Sequence, residues 1–402
     1  MWSLWNNVRR LTALASLAAV ATTWAAYEPV KLPDSSRRWS VTLTTRGEFD
    51  DNIDTSASNE RSSWKGIVEP QLQVNAPFDQ TFVGFRYQYR AVYFERRESE
   101  PVDQEHLADL TLAHTVNPRL QLDLREQLRR GVEPELVEEQ SGDQFIRQRQ
   151  GDYLYSSLNG GLSYNLSQRW TTSVLGGWDL WDYDRADSSI NDRDVYRGTV
   201  AVNYGLDRRT TAGVGYQFYH VAYDVPGTND QRNSDSHIVY LSGVRRFNPQ
   251  LSGQTNVGLE LREFGDGAND LGPWVDASLT YNYGPQSAAT LGFRYSITTT
   301  EVGTFRSADS ADIYGQITHR VTAKILVSGT ATLSLDSFSN PVGPVGDDSF
   351  TEEIFSLAVA ARYQFTRWLS GDVRYNFDQV TSDFTGRDFV RNRVSIGCRL
   401  VY

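Results

Sequence analysis

Runs of about ten residues in which apolar and polar side chains alternate strictly recur along most of the chain, and this leaves few folds open. Leu369, Gly371, Val373, Tyr375 and Phe377 share one face, while Ser370, Asp372, Arg374, Asn376 and Asp378 share the other. Leu120, Leu122 and Leu124 alternate with Gln121, Asp123 and Arg125, and Leu291, Phe293, Tyr295 and Ile297 with Gly292, Arg294, Ser296 and Thr298. The same texture runs through 83–93, 251–261, 275–283 and 327–335. A period of two sends successive side chains to opposite faces of a strand. Strands of a soluble sandwich are usually about 5–6 residues long, whereas a tilted strand crossing a bilayer needs about 9–11. A mean hydropathy of −0.48 fits the second case, because only one face of such a strand meets lipid.

The connections alternate in length as well. Tight turns fall at 117–119, 167–169, 207–209, 248–250, 284–286 and 366–367, and longer polar stretches at 50–63, 96–104, 131–150, 185–192, 225–235, 265–272, 303–309, 340–348 and 381–386. Outer-membrane barrels place short turns on the periplasmic side and long loops outside. Nine long stretches, each joining a strand pair, predict an all-β, transmembrane, antiparallel up-and-down β-barrel of about eighteen strands, with sixteen as the fallback. An even number returns both ends to the periplasm. A propeller also repeats at about 40–45 residues, but its strands are shorter and no blade signature is present.

The amino terminus is consistent with export. A start ending in Arg9-Arg10, an apolar stretch over 11–20 and small residues over 22–26 are the three parts of a secretory signal peptide. That apolar stretch is too short for a membrane-spanning helix, which takes about 20 residues. Cleavage is expected after Ala25 or Ala26, giving a signal peptide at 1–26, a periplasmic leader at 27–38 and the barrel at 39–402. Cys398 is the only cysteine, which rules out both lipoprotein processing and an intrachain disulfide. The formal net charge of −11 becomes −13 once Arg9 and Arg10 are removed, a poor balance for a nucleic-acid partner. Lysine occurs only at Lys31, Lys65 and Lys324, so 36 of the 39 basic residues are arginine, a bias that a GC-rich genome also produces.

Aromatic residues mark two levels. Trp39, Trp170 and Trp368 lie beside short turns or the first strand's start, and Trp64, Trp178 and Trp274 beside long loops, as two interfacial girdles require. The chain ends inside a strand with Val394, Ile396, Cys398, Leu400 and Tyr402 on one face. Ile396, Leu400 and Tyr402 there resemble the aromatic-ended signal by which barrel-assembly machinery recognises its substrates. The stretch Gly47-Glu48-Phe49-Asp50-Asp51-Asn52-Ile53, with Trp64 to Pro70, resembles the start of the putative β-barrel porin 2 family. Arg391-Asn392-Arg393-Val394-Ser395-Ile396-Gly397 resembles that family's end. The resemblance implies an outer-membrane channel of a Gram-negative-type envelope, surrounded by lipid and lipopolysaccharide. Members often accompany exopolysaccharide production, so it also implies a role beside polysaccharide-export components. It supplies no catalytic residues.

Parity places Arg46, Arg86, Arg90, Arg125, Arg129, Arg197, Arg262, Arg294, Arg374, Arg393 and Arg399 inside, with Glu48, Glu69, Asp109, Asp123, Glu260, Asp276, Asp336, Asp372 and Asp378. Guanidinium groups along an aqueous path attract carboxylates and phosphates; cross-strand pairs of the same residues would instead brace the wall. The long stretch 131–150 is acidic through Glu133, Glu135, Glu138, Glu139 and Asp143, and folded inward it would form a constriction opposite Arg125 and Arg129. Projecting outward, it would be an ordinary loop.

Enzymatic chemistry finds little support. His106, His114, His220, His237 and His319 lie on separate strands, and only His220 and His237 are on neighbouring ones, with no serine partner fixed beside them. No glycine-rich phosphate loop, zinc spacing or nucleophile elbow occurs. Asp50-Asp51-Asn52-Ile53-Asp54 lacks the glycine and bidentate glutamate of a calcium loop and reads as a solvated turn. No enzyme activity, cofactor or metal is expected. Three functions stay open: a passive porin for polar, including anionic, solutes; a dedicated exopolysaccharide export pore; and a structural or adhesive barrel without an open channel.

Overall fold

The computed structural model describes residues 37–98, 100–132, 152–184, 191–224, 231–300, 302, 305–339, 341 and 349–402, and the backbone alone of 137–138 and 144–145. Its strands are β1 (Trp39–Asp50), β2 (Ser63–Pro77), β3 (Thr81–Phe94), β4 (Val102–Asn117), β5 (Leu120–Gly131), β6 (Val137–Glu138), β7 (Gln144–Phe145), β8 (Tyr153–Asn165), β9 (Trp170–Tyr183) and β10 (Arg193–Gly205). They continue as β11 (Thr210–Tyr223), β12 (Ser234–Arg246), β13 (Leu251–Phe264), β14 (Asn269–Gly284), β15 (Ser287–Thr299), β16 (Ser307–Arg320), β17 (Ile325–Phe338), β18 (Phe350–Gln364), β19 (Leu369–Ser382) and β20 (Phe389–Val401). All but the β6–β7 ladder join one 18-stranded antiparallel sheet, which closes where β1 pairs with β20. Closure leaves no edge whose unpaired backbone would face lipid.

The barrel strands are 12–16 residues long, longer than the alternating runs alone indicated. At a rise of about 3.3 Å and a tilt near 40°, fourteen residues span roughly 35 Å. The ladders therefore continue past the apolar band of about 25 Å. Side chains converge on the concave face, so polar groups there are buried; on the convex face they diverge. Val41, Leu43, Val239, Leu241, Leu291, Val373 and Ile396 are exposed on the outside. Thr42, Glu48, Ser236, Arg294, Asp372 and Ser395 are buried on the inside.

The outer aromatics form two levels. At the short-turn end, Trp39 packs on Tyr402 and Trp170 on Tyr204; toward the long loops, Phe49 packs on Trp64. Trp274 departs from the expected girdle. It shares the parity of Asp276, points inward and packs on Tyr240, because proximity to a loop does not decide which face a residue occupies. Gly215 and Gly258 make room for Tyr240: a Cβ at either position would collide with its side chain.

The connection expected over 265–272 is also shorter. Arg262 is in register with Asp270 and Glu263 with Asn269, so the hairpin pairs almost to its tip. Its Gly and Pro residues imitated a loop in the sequence. Pro273 is tolerated because β14 pairs there only with β13; its pairing with β15 begins at Val275. Likewise β12 starts at Ser234 and β16 at Ser307, inside the stretches 225–235 and 303–309.

Candidate channel lumen

The inner face changes character from one end to the other. Small apolar and aromatic clusters line the long-loop ends of strands, among them Ile53, Ile67, Val92 and Phe94, and Phe305, Phe338 and Phe350. Below them lies a belt of ion pairs. One unbroken arc runs from β19 through β1, β2, β3 and β4 to β5. Arg374 contacts Asp372 at 2.7 Å, Asp372 faces Arg46 at 3.7 Å, and Arg46 contacts Glu69 at 2.8 Å. Glu69 lies 3.4 Å from Arg90, Arg90 3.2 Å from Glu105, and Glu105 3.6 Å from Arg129. Arg46 crosses β20 to reach Asp372 by lying over Gly397, where a Cβ would come within 2.5 Å of its Cγ.

The arginines and carboxylates that parity placed inside lie on the inner face, but the structure divides them. Arg90, Arg129, Arg374 and Asp372 belong to the arc. Arg86 and Arg125 share Asp109, at 2.5 and 3.8 Å, and Arg393 pairs with Asp378 at 2.9 Å. Arg294 and Asp276 stand apart on the opposite wall, 3.8 Å from one another. Asp123 faces inward on β5, in register with Ala113 and Gly161. On that opposite wall Arg197 is buried against Asp179 and Asn159, and Arg262 holds Glu260 at 2.9 Å and the Ile297 carbonyl at 2.7 Å. Of the constriction candidates, Glu133, Glu135, Glu139 and Asp143 lie outside the described residues; Glu138 is described by its backbone alone, in register with Gln144.

Two assemblies were not legible beforehand. Asp50, expected in a solvated turn, is fully buried and contacts Lys65 Nζ at 2.5 Å and Arg391 Nη2 at 2.6 Å. Asp51 accepts hydrogen bonds from the Asn392 backbone and side-chain amides, at 2.6 and 2.7 Å. Asn52 is equally buried and donates to the Val390 carbonyl at 3.1 Å. The opening and closing motifs of the chain thus meet across the β1–β20 seam, which they fasten at the loop end. The solvated turn gives way to a buried one because, Lys65 apart, these partners lie at the other end of the sequence, where no local pattern shows them. The second assembly is Arg362, which faces inward on β18 beside Arg399 on a cavity of about 530 Å³. Seven arginines and four carboxylates line that cavity. A smaller cavity of about 230 Å³ at the short-turn mouth is lined by Arg320, Lys324, Arg362, Arg367 and Arg399, with no carboxylate among its lining residues.

The histidines lie on the outer face. His106 bonds the Tyr87 hydroxyl at 2.8 Å, His237 that of Tyr216 at 2.7 Å, and His220 pairs with Asp235 at 2.8 Å. None is set beside an inner nucleophile, and the lumen is a polar, charge-lined interior. A family model described as putative beta-barrel porin 2 matches residues 40–402.

The chain belongs to that family. Among solved structures, this porin resembles OccK2 (OpdF) of Pseudomonas aeruginosa in complex with glucuronate, at 11% identity and a TM-score of 0.50, covering 90% of this chain and 98% of that one. It also matches OccAB3 of Acinetobacter baumannii, at 12% identity and a TM-score of 0.48, covering 90% and 99%. No curated protein matches it. At such identity the likeness to OccK2 speaks for the fold alone, a closed antiparallel β-barrel. Family and fold together point to a porin-like channel rather than an enzyme.

Proposed function

We propose that the protein, exported by a cleaved signal peptide at 1–26, forms a passive outer-membrane pore for small polar solutes with a preference for anions. The observation that carries this is the excess of arginine over carboxylate around the lumen cavity, which continues into a mouth lined only by basic charge. A barrel of 16–18 strands is wide enough for an aqueous channel, and fixed positive charge on its wall raises the local concentration of anions. The same basic mouth lies among the short turns, the periplasmic side by the habit of such barrels. It favours a second reading, in which an acidic polysaccharide enters there and is exported with the help of periplasmic components.

Liposome swelling separates these readings. Vesicles carrying the mature protein are expected to admit sugar acids faster than neutral sugars of the same size. Equal rates would remove the anion preference, and no entry of either would leave only a barrel without a solute path. Entry of small sugar acids but not of acidic oligosaccharides would remove the export reading.

A further inference from the structure

The ion-pair arc leaves two guanidiniums over. Arg362 and Arg399 face the lumen from β18 and β20, on either side of β19. The Nε atom of each is buried without a hydrogen-bond partner, and among the described residues neither forms an ion pair. Asp372, in register with Arg362, is already shared by Arg374 and Arg46. Arg399 stands in register with Ser370 and Thr44, neither of which carries charge. Arg374 and Arg46 line the same cavity, and both already hold Asp372.

A brace needs a counter-charge, and this pair has none of its own. Like charges held together in a partly desolvated wall destabilise the fold, so their placement calls for a ligand that supplies the missing charge. Both arginines line the lumen cavity and the mouth cavity, so they stand where the two meet. Strands two apart in a sheet lie about 10 Å from each other, a gap that two arginine side chains can close around one anion. The planar guanidinium fork fits two oxygens of a carboxylate or phosphate at once.

We propose that Arg362 and Arg399 form an oxyanion-binding site at the short-turn neck of the pore, which takes a carboxylate or phosphate group of a solute arriving from the basic mouth. The site rests on the channel reading above and adds to it a saturable step. Arg320, Lys324 and Arg367 draw the anion in, Arg362 and Arg399 hold it, and Arg374 with Arg46 offer the next positive charges inward.

The test is block of single-channel current in planar bilayers at low salt, where screening is weak. Citrate or inorganic pyrophosphate is added to one chamber at a time. The wild-type channel is expected to be blocked at lower concentration from the short-turn side, and R362Q/R399Q to weaken block by at least about tenfold. The relative strength of citrate and pyrophosphate tells a carboxylate site from a phosphate site. R208Q/R209Q removes equal charge from another short turn and should block like wild type. Should the double variant fail to fold, R362Q and R399Q singly carry the test. Block unchanged in a folded R362Q/R399Q channel, or lowered equally by R208Q/R209Q, overturns the site and leaves the channel standing. Titration calorimetry in detergent covers the opposite case. Citrate or pyrophosphate binding lost in R362Q/R399Q, by a protein that conducts nothing, keeps the site and overturns the channel; absence of binding and conductance overturns both.

Discussion

Asp50→Ala is expected to loosen the barrel at its seam. The Asp50 side chain is fully buried; Arg391 gives it hydrogen bonds from Nη2 at 2.6 Å and Nε at 3.1 Å, and Lys65 Nζ lies 2.5 Å away. Both cations are themselves buried. Removing one partner of a buried pair costs about 3–5 kcal/mol, because the remaining charge cannot return to water. Lys65 keeps Glu48 at 3.4 Å, so part of the buried positive charge is still met and the expectation is near the lower end, about 3 kcal/mol. Asp54→Ala provides the comparison. Its pair with Arg61 is as short, 2.8 Å, but 30% and 45% of the two side chains stay exposed, so its removal should cost less than about 1 kcal/mol. Urea unfolding in lipid vesicles, followed by tryptophan fluorescence, reads both values provided the slope m is unchanged. The reasoning is refuted if Asp50→Ala loses no more stability than Asp54→Ala.

Other expectations follow from single contacts. Gly397→Ala should destabilise by about 1–3 kcal/mol in the same assay, since its Cβ would meet Arg46 Cγ at 2.5 Å and the Thr45 carbonyl at 2.8 Å; an unaffected variant would show that Arg46 has room to move aside. Asp192, in the connection before β10, has its carboxyl pushed up to about 6 by burial and then by Asp182 and Asp224, against the hydrogen bond it accepts from the Tyr183 amide. Its folded value lies above the unfolded one, so its charge destabilises above about pH 6 and that penalty fades as pH falls toward 4. Asp192→Asn should therefore unfold at higher temperature than wild type at pH 7.5 and lose that advantage near pH 4. Replacing Tyr402, exposed and packed on Trp39, with aspartate should lower the amount of assembled barrel more than the stability of what assembles, read from outer-membrane levels and urea unfolding together.

Strand number and inward parity were legible because a period-two pattern on long strands has one meaning in a membrane. Every lumen arginine and carboxylate named from parity faces inward for that reason. Arg362 escaped because Ala358, Val359, Ala360 and Ala361 before it are small or apolar on both faces. Parity counted from Ser356 would have found it. The Asp50–Arg391 contact bridges a sequence separation of 341, which no local pattern encodes. Trp274 lies inward because it shares the parity of Asp276, which its height beside a loop does not reveal.

The central claim is that the eighteen-stranded barrel encloses a water-filled path. Purified mature protein, shown by circular dichroism to be β-rich and by gel mobility to unfold only on heating, should produce discrete conductance steps in a planar bilayer. Its reversal potential in a potassium chloride gradient should show chloride preferred. Folded protein that inserts and yields no steps would contradict the account, and steps with potassium preferred would contradict the role given to the arginines.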